Sequence, residues 1–102
     1  MAIIARFSFD VPFGRKSEML AQEEKWAPVG RELGFPQAQV LVGSIGTPES
    51  RIEFNYPFEN LSSLEAVWNK LGDPRMVEYQ RAMAPFIVPG SHRWEVLRVQ
   101  GA

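Results

Sequence analysis

The sequence predicts an α+β fold in the order β-α-β-β-α-β. Three observations carry that prediction: an alternating apolar run near the start, two long stretches of helical periodicity further on, and a proline or glycine at each change of period. Residues 2–10 place Ile3, Ala5, Phe7 and Phe9 on one side and Ile4, Arg6 and Ser8 on the other, as an extended backbone with two unequal faces does. After Val11-Pro12-Phe13-Gly14, Met19, Leu20, Trp26, Ala27 and Leu33 recur at helical spacing from Arg15 to Leu33, and Gly34 provides a stop. Pro28 lies inside this helix, where it removes a donor and crowds the carbonyl four residues earlier, so a kink is expected. Residues 37–45 and 51–58 read as two strands of a hairpin joined through Gly46-Thr47-Pro48-Glu49-Ser50. In the second strand Ile52, Phe54, Tyr56 and Phe58 share a face, with Arg51, Glu53 and Asn55 opposite.

Ser62-Ser63-Leu64-Glu65 has the form of a capping box, with Leu61 placed to staple against the next turn. The helix it starts runs through Leu64, Val67, Trp68 and Leu71 to Gly72, and a second helical piece restarts with Asp73 as cap and Pro74 at its first position. That piece ends near Pro85, Pro89-Gly90 makes a turn, and residues 92–99 alternate as a last strand. Two helices on one face of a four-stranded antiparallel sheet give a ferredoxin-like arrangement. The 102 residues suffice for a single domain, spanning 1–102.

Composition narrows the function classes. Eleven basic and twelve acidic residues nearly cancel and form no stripe, so a nucleic-acid partner is not expected. The chain has no cysteine, which rules out disulfides and thiolate metal sites and fits a reducing compartment. Met1-Ala2-Ile3-Ile4-Ala5-Arg6-Phe7 lacks a basic leader ahead of a long apolar run, and no apolar segment reaches bilayer length. No membrane partner and a cytoplasmic location are therefore expected. Neither a nucleophile elbow nor a phosphate-binding glycine loop is present.

The sheet face away from the helices is expected to carry Ile4, Leu41, Ile45, Leu97 and Val99 beside Arg6, Arg51, Glu53, Asn55, Arg93 and Glu95. That mixture is too apolar for water and too charged for a dry core. A second copy stacked across it would cover the aliphatic part and pair the charges, so a homodimer through the open sheet face is expected.

Three segments carry a resemblance: Asn60-Leu61-Ser62-Ser63-Leu64-Glu65-Ala66-Val67-Trp68, then Leu71-Gly72-Asp73-Pro74-Arg75-Met76-Val77-Glu78-Tyr79, then Arg93-Trp94-Glu95-Val96-Leu97-Arg98. Together with Pro12-Phe13-Gly14-Arg15 they resemble the NIPSNAP-like branch of the dimeric α+β barrel superfamily, whereas the first strand, Ile3-Ile4-Ala5-Arg6-Phe7, departs from its usual aromatic-acidic start. The resemblance implies a ferredoxin-like chain pairing as a dimeric α+β barrel. Haem-degrading members resemble this chain at Trp68, but they place a histidine ligand where Tyr79, Gln80 and Arg81 stand here. The one histidine, His92, has no carboxylate cluster, so neither metal nor cofactor is expected.

The resemblance also implies a cavity between sheet and helices like that of the cofactor-independent oxygenases and cyclases. Its walls would be Phe7, Phe9, Trp26, Tyr56, Trp68 and Trp94, with Tyr79 and His92 as candidate catalytic groups and Asn69 as a further polar contact. An apolar or aromatic small molecule would be the ligand. The same rings would equally fill a small core, and His92 would equally be a solvated residue at a strand edge. Two readings therefore stand: a small enzyme, or a non-catalytic ligand-binding or interaction module on the same scaffold. An open cavity with Tyr79 or His92 on its wall favours the first, and three tryptophans in mutual contact in a closed core favour the second.

Overall fold

A computed structural model describes residues 2–101. Extended backbone with apolar residues at every second position forms β1 (Ile3–Asp10), and the long helical stretch forms α1 (Lys16–Glu32). The hairpin strands are β2 (Gln39–Val42) and β3 (Arg51–Phe58). They are followed by α2 (Leu61–Trp68), α3 (Pro74–Met83), a 3-10 turn at Ala84–Phe86 and β4 (Arg93–Arg98). The sheet is antiparallel throughout, in the order β2-β3-β1-β4. This is the ferredoxin-like fold expected from the element order.

The register explains the core. Phe7 stands opposite Phe54 on one side and Trp94 on the other, and Val40 extends the row through Phe54. In the next row Phe9 pairs with Ile52, and both are fully buried with Met19, Met83 and Phe86 over them. Ile3, Ala5 and Leu64 form a second, smaller cluster.

α1 runs without a break through Pro28. At its end Gly34 takes φ 93, the Phe35 N–H donates to the Gly30 carbonyl at 2.9 Å, and the Gly34 N–H donates to the Arg31 carbonyl at 3.1 Å. This pair of bonds satisfies the last carbonyls and turns Phe35 and Pro36 back over the sheet. Asp73 caps α3 as expected, its carboxylate accepting from the Arg75 N–H at 2.9 Å with Pro74 next in line.

Four details differ from the sequence expectations. β2 is four residues long, because the backbone at Gly43 passes so close to Pro48 that a Cβ there would lie 1.8 Å from its carbonyl oxygen. The chain folds back at Gly43, which puts Ile45 in an exposed loop and removes it from the sheet face. Asn60 and not Ser62 caps α2: its side-chain oxygen accepts from the Ser63 N–H at 2.9 Å and from the Ser63 hydroxyl at 3.0 Å. Leu61 thereby becomes the first helical residue, exposed and unable to act as a staple. α2 ends at Trp68, and turns through Lys70 and Leu71 lead to Asp73.

The fourth difference lies on the open sheet face, where the central charges are already paired within the chain. Arg6 donates to Asn55 at 2.9 Å and lies 3.5 Å from Glu53, which is also 3.6 Å from Arg51. Arg51 also donates to the Ser8 hydroxyl at 3.1 Å. What this network leaves uncovered is Leu41 and Leu97, each with 39% of its surface exposed, together with Arg93 and Glu95 of β4, which take no part in it.

Candidate functional site

Between the helices and the sheet lies a cavity of about 950 Å³. The sheet contributes Phe7, Tyr56 and Trp94, α1 contributes Trp26, and α3 contributes Tyr79. The rings form two groups: Phe7 and Trp94 lie 4.8 Å apart, Tyr56 and Trp94 6.1 Å, and Phe35 and Tyr56 6.0 Å between centroids, while Trp26 and Tyr79 make a separate pair at 6.1 Å. His92 reaches the same cavity from the loop before β4. That loop is fixed because the Ser91 hydroxyl accepts from the Asp10 N–H at 3.0 Å and donates to the Val88 carbonyl at 2.6 Å. His92 is exposed, with its ring 6.4 Å from Phe7.

The principal polar feature is a pair. The Tyr79 hydroxyl donates a hydrogen bond to the Glu23 carboxylate, and both side chains line the cavity. Burial raises the Glu23 pKa above its ordinary 4.5, and the bond from Tyr79 only partly offsets that rise. Burial likewise holds the Tyr79 and Tyr56 hydroxyls well above the usual phenol range, and the nearby Glu23 charge adds to both shifts. Both phenols therefore remain protonated donors near neutrality. The indole Nε1 of Trp26 is buried without a partner, the one such side-chain atom among the described residues.

Glu23 is not among the site residues that the sequence points to. The signal was its phase: it follows Met19 by four residues and precedes Trp26 and Ala27 by three and four, which places a carboxylate in the apolar stripe of α1.

Phe7, Trp26, Tyr56, Trp94, Tyr79 and His92 meet at this cavity. Phe9 does not reach it, being fully buried in the core beneath Phe7. Trp68, expected from the resemblance to line the cavity, stands behind Trp94 instead, edge to face at 4.8 Å, with 38% of its surface exposed. The reason is the early end of α2, which leaves Trp68 on the helix's last residue and beside the edge strand β4. Asn69 follows it, exposed. Trp68→Ala is accordingly expected to cost about half of the roughly 3–5 kcal/mol that a fully buried ring costs. Urea denaturation followed by circular dichroism checks this, as a lower midpoint with unchanged slope. Among the described residues no three His, Asp or Glu side chains gather to hold a metal ion, and no helix is long and apolar enough to cross a membrane.

A ferredoxin-like sheet whose helices enclose an aromatic cavity defines the structural class. Comparison with protein-family profiles finds no match, and comparison with curated proteins finds no significant relative. Among solved structures, the neighbours include NIPSNAP proteins. A NIPSNAP-like domain protein of Burkholderia xenovorans superposes with TM-score 0.80 at 16% identity, covering 98% of this chain and 86% of that one. A NIPSNAP family protein of Agrobacterium tumefaciens gives TM-score 0.78 at 19% identity, covering 96% and 92%. A candidate antibiotic biosynthesis monooxygenase of Caulobacter crescentus gives TM-score 0.70 at 16% identity, covering 96% and 89%. At these identities the likeness is one of fold.

Proposed function

We propose that this chain is a NIPSNAP-like single-domain protein that works, without a cofactor, as an enzyme of oxygenase, cyclase or isomerase type on an apolar or aromatic small molecule. The observation that supports this reading is the Glu23–Tyr79 pair on the wall of an aromatic cavity. A carboxylate whose pKa is raised by burial is a stronger base than one in water and is suited to take a proton from a phenolic O–H or an activated C–H. The bond electrons remain on the substrate as a phenolate or enolate, and the Tyr56 hydroxyl, joined by that of Tyr79 once Glu23 has taken the proton, can donate to that oxygen. Phe7, Trp26 and Trp94 hold the apolar body, and His92 stands where it can exchange the proton with solvent. Returning the proton to another carbon gives an isomerase, and attack of the enolate on a carbonyl of the same molecule gives a cyclase. Reaction of the anion with dissolved dioxygen gives an oxygenase.

A thermal-shift screen against hydroxylated aromatics, fatty acids and haem, followed by NMR detection of deuterium uptake from heavy water into each hit, tests this reading. A hydroxylated aromatic that raises the melting temperature and gains deuterium at carbon supports it. Binding without exchange leaves the scaffold as a ligand-binding module.

The same reading includes a cytoplasmic location, supported by the lack of cysteine, and a homodimer through the open sheet face. Leu97 faces Ile4 in register there, and Leu41 lies on the same side of the sheet. Leu97→Asp is expected to weaken self-association by at least about tenfold, since it would bury a charge with no partner of its own. Light scattering at micromolar concentration checks it, and a monomeric wild type removes the interface.

A further inference from the structure

The cavity-facing side of α1 has a polarity of its own. Glu23, Ala27, Gly30 and Arg31 fall at helical spacing on one face, and all four line the cavity. Ala27 offers only a methyl group and Gly30 no side chain, so the helix is slim between the two charged residues; Phe35 packs against it at Gly30, where a Cβ would lie 3.8 Å from the Phe35 Cβ. Arg31 is exposed and therefore stands at the rim. Among the described residues it makes no ion pair, which is also true of Arg93 and Arg98, but of these three only Arg31 lines the cavity; Arg6, Arg15, Arg51, Arg75 and Arg81 each have an acidic partner. Its neighbour Glu32 is taken by Arg75 at 2.8 Å. Glu24, the other carboxylate lining the cavity, lies a full seven residues earlier, about 10 Å along the helix axis. Nor does Arg31 serve as a cap, because the last carbonyls of α1 accept from the N–H groups of Leu33, Gly34 and Phe35.

We propose that the cavity takes an aromatic or apolar acid whose carboxylate pairs with Arg31 at the rim while its reacting proton lies at Glu23 and Tyr79, about 12 Å further along the helix. This rests on the Glu23–Tyr79 end being the reacting end, and it adds a charged group and a length to the ligand. A guanidinium presents paired donors that match a carboxylate, and at an exposed rim the pair contributes modestly and is screened by salt. The short side chain of Ala27 leaves room beside the helix for the connecting chain. His92 is the other basic group on the wall and the rival anchor.

The test uses 4-hydroxyphenylalkanoic acids of graded tail length and their methyl esters, titrated against the wild type, Arg31→Gln, Arg31→Lys, His92→Gln and Glu23→Gln with tryptophan fluorescence as readout. At low salt the wild type should favour acid over ester by about fivefold, with an optimum tail length, and the preference should shrink as salt is added. Arg31→Gln should abolish the preference and Arg31→Lys should keep part of it, while His92→Gln and Glu23→Gln should leave it in place. Equal binding of acid and ester, a preference that survives Arg31→Gln or vanishes in His92→Gln, or no binding of any probe overturns the proposal. An Arg31-dependent preference without deuterium exchange in any probe upholds the carboxylate anchor at Arg31 and overturns the enzymatic reading on which the reacting end depends.

Discussion

Glu23→Gln is expected to lower deuterium exchange into a bound hydroxylated aromatic by roughly a hundred- to ten-thousandfold, the usual contribution of one positioned general base. The substitution is nearly isosteric, and the amide oxygen that replaces the carboxylate can still accept from Tyr79, so the cavity and the fold should persist. Only the basicity is lost. In the wild type the exchange rate should rise with pH through a midpoint above 4.5, because burial is the largest influence on this carboxyl and acts upward. The same shift fixes the sign of the stability change. Below about 4.5 the carboxyl is protonated in both folded and unfolded chains, and its contribution to stability is fully present. As pH rises past that value the unfolded chain ionises first, and the contribution falls until the folded carboxyl ionises too. Glu23→Gln removes that loss, so the variant should gain on the wild type as pH rises across this window. Urea midpoints at acid and neutral pH check it. Exchange that survives in Glu23→Gln with an unchanged pH profile would move the base elsewhere on the wall, with His92 the next group to test.

How far such a site could be read from the sequence depends on the range of the interactions that build it. β1 and β3 were legible because each alternates with two unequal faces, so the placement of Phe7, Phe54 and Tyr56 followed from period alone. The start of α3 was legible because Asp73 and Pro74 act within one turn. The cap of α2 was less so: Asn60, Ser62 and Ser63 all carry side-chain oxygens able to cap, and which one does so depends on how the chain leaves β3. β2 reads as longer than it is because Val40, Leu41, Val42 and Ile45 look like a strand, while what ends it is contact of Gly43 with backbone five residues later. Glu23 shows the limit most clearly. Its partner Tyr79 lies 56 residues away on another helix, and nothing local to either residue requires them to meet. On the open sheet face the charges were legible, but not their pairing, since Arg6 and Glu53 come together only through the β1–β3 register.

Phe9→Ala should have the largest effect on stability, about 3–5 kcal/mol, because it removes a fully buried ring from a site that cannot collapse around the void. Phe9 packs edge-on against Phe54 at 5.7 Å, lies 5.4 Å from Phe7, and stands opposite Ile52 in the register. The strands carrying these neighbours are fixed by their backbone ladder, so little can move in to fill the gap. Small domains hold only about 5–15 kcal/mol in total, so the variant should be partly unfolded at physiological temperature. Phe7→Ala is the informative contrast. Phe7 is two residues earlier on the same face but only half-buried, with one side on the cavity, so its loss should cost markedly less while enlarging the ligand space. Urea denaturation of both variants, followed by titration with the best hydroxylated aromatic from the screen, separates core from wall. Phe9→Ala should lose stability across the full core range, and Phe7→Ala should stay folded with altered ligand affinity. A mild stability loss for Phe9→Ala together with lost binding would make Phe9 a ligand contact after all, and would require the cavity to open one row further into the sheet than its present floor at Phe7.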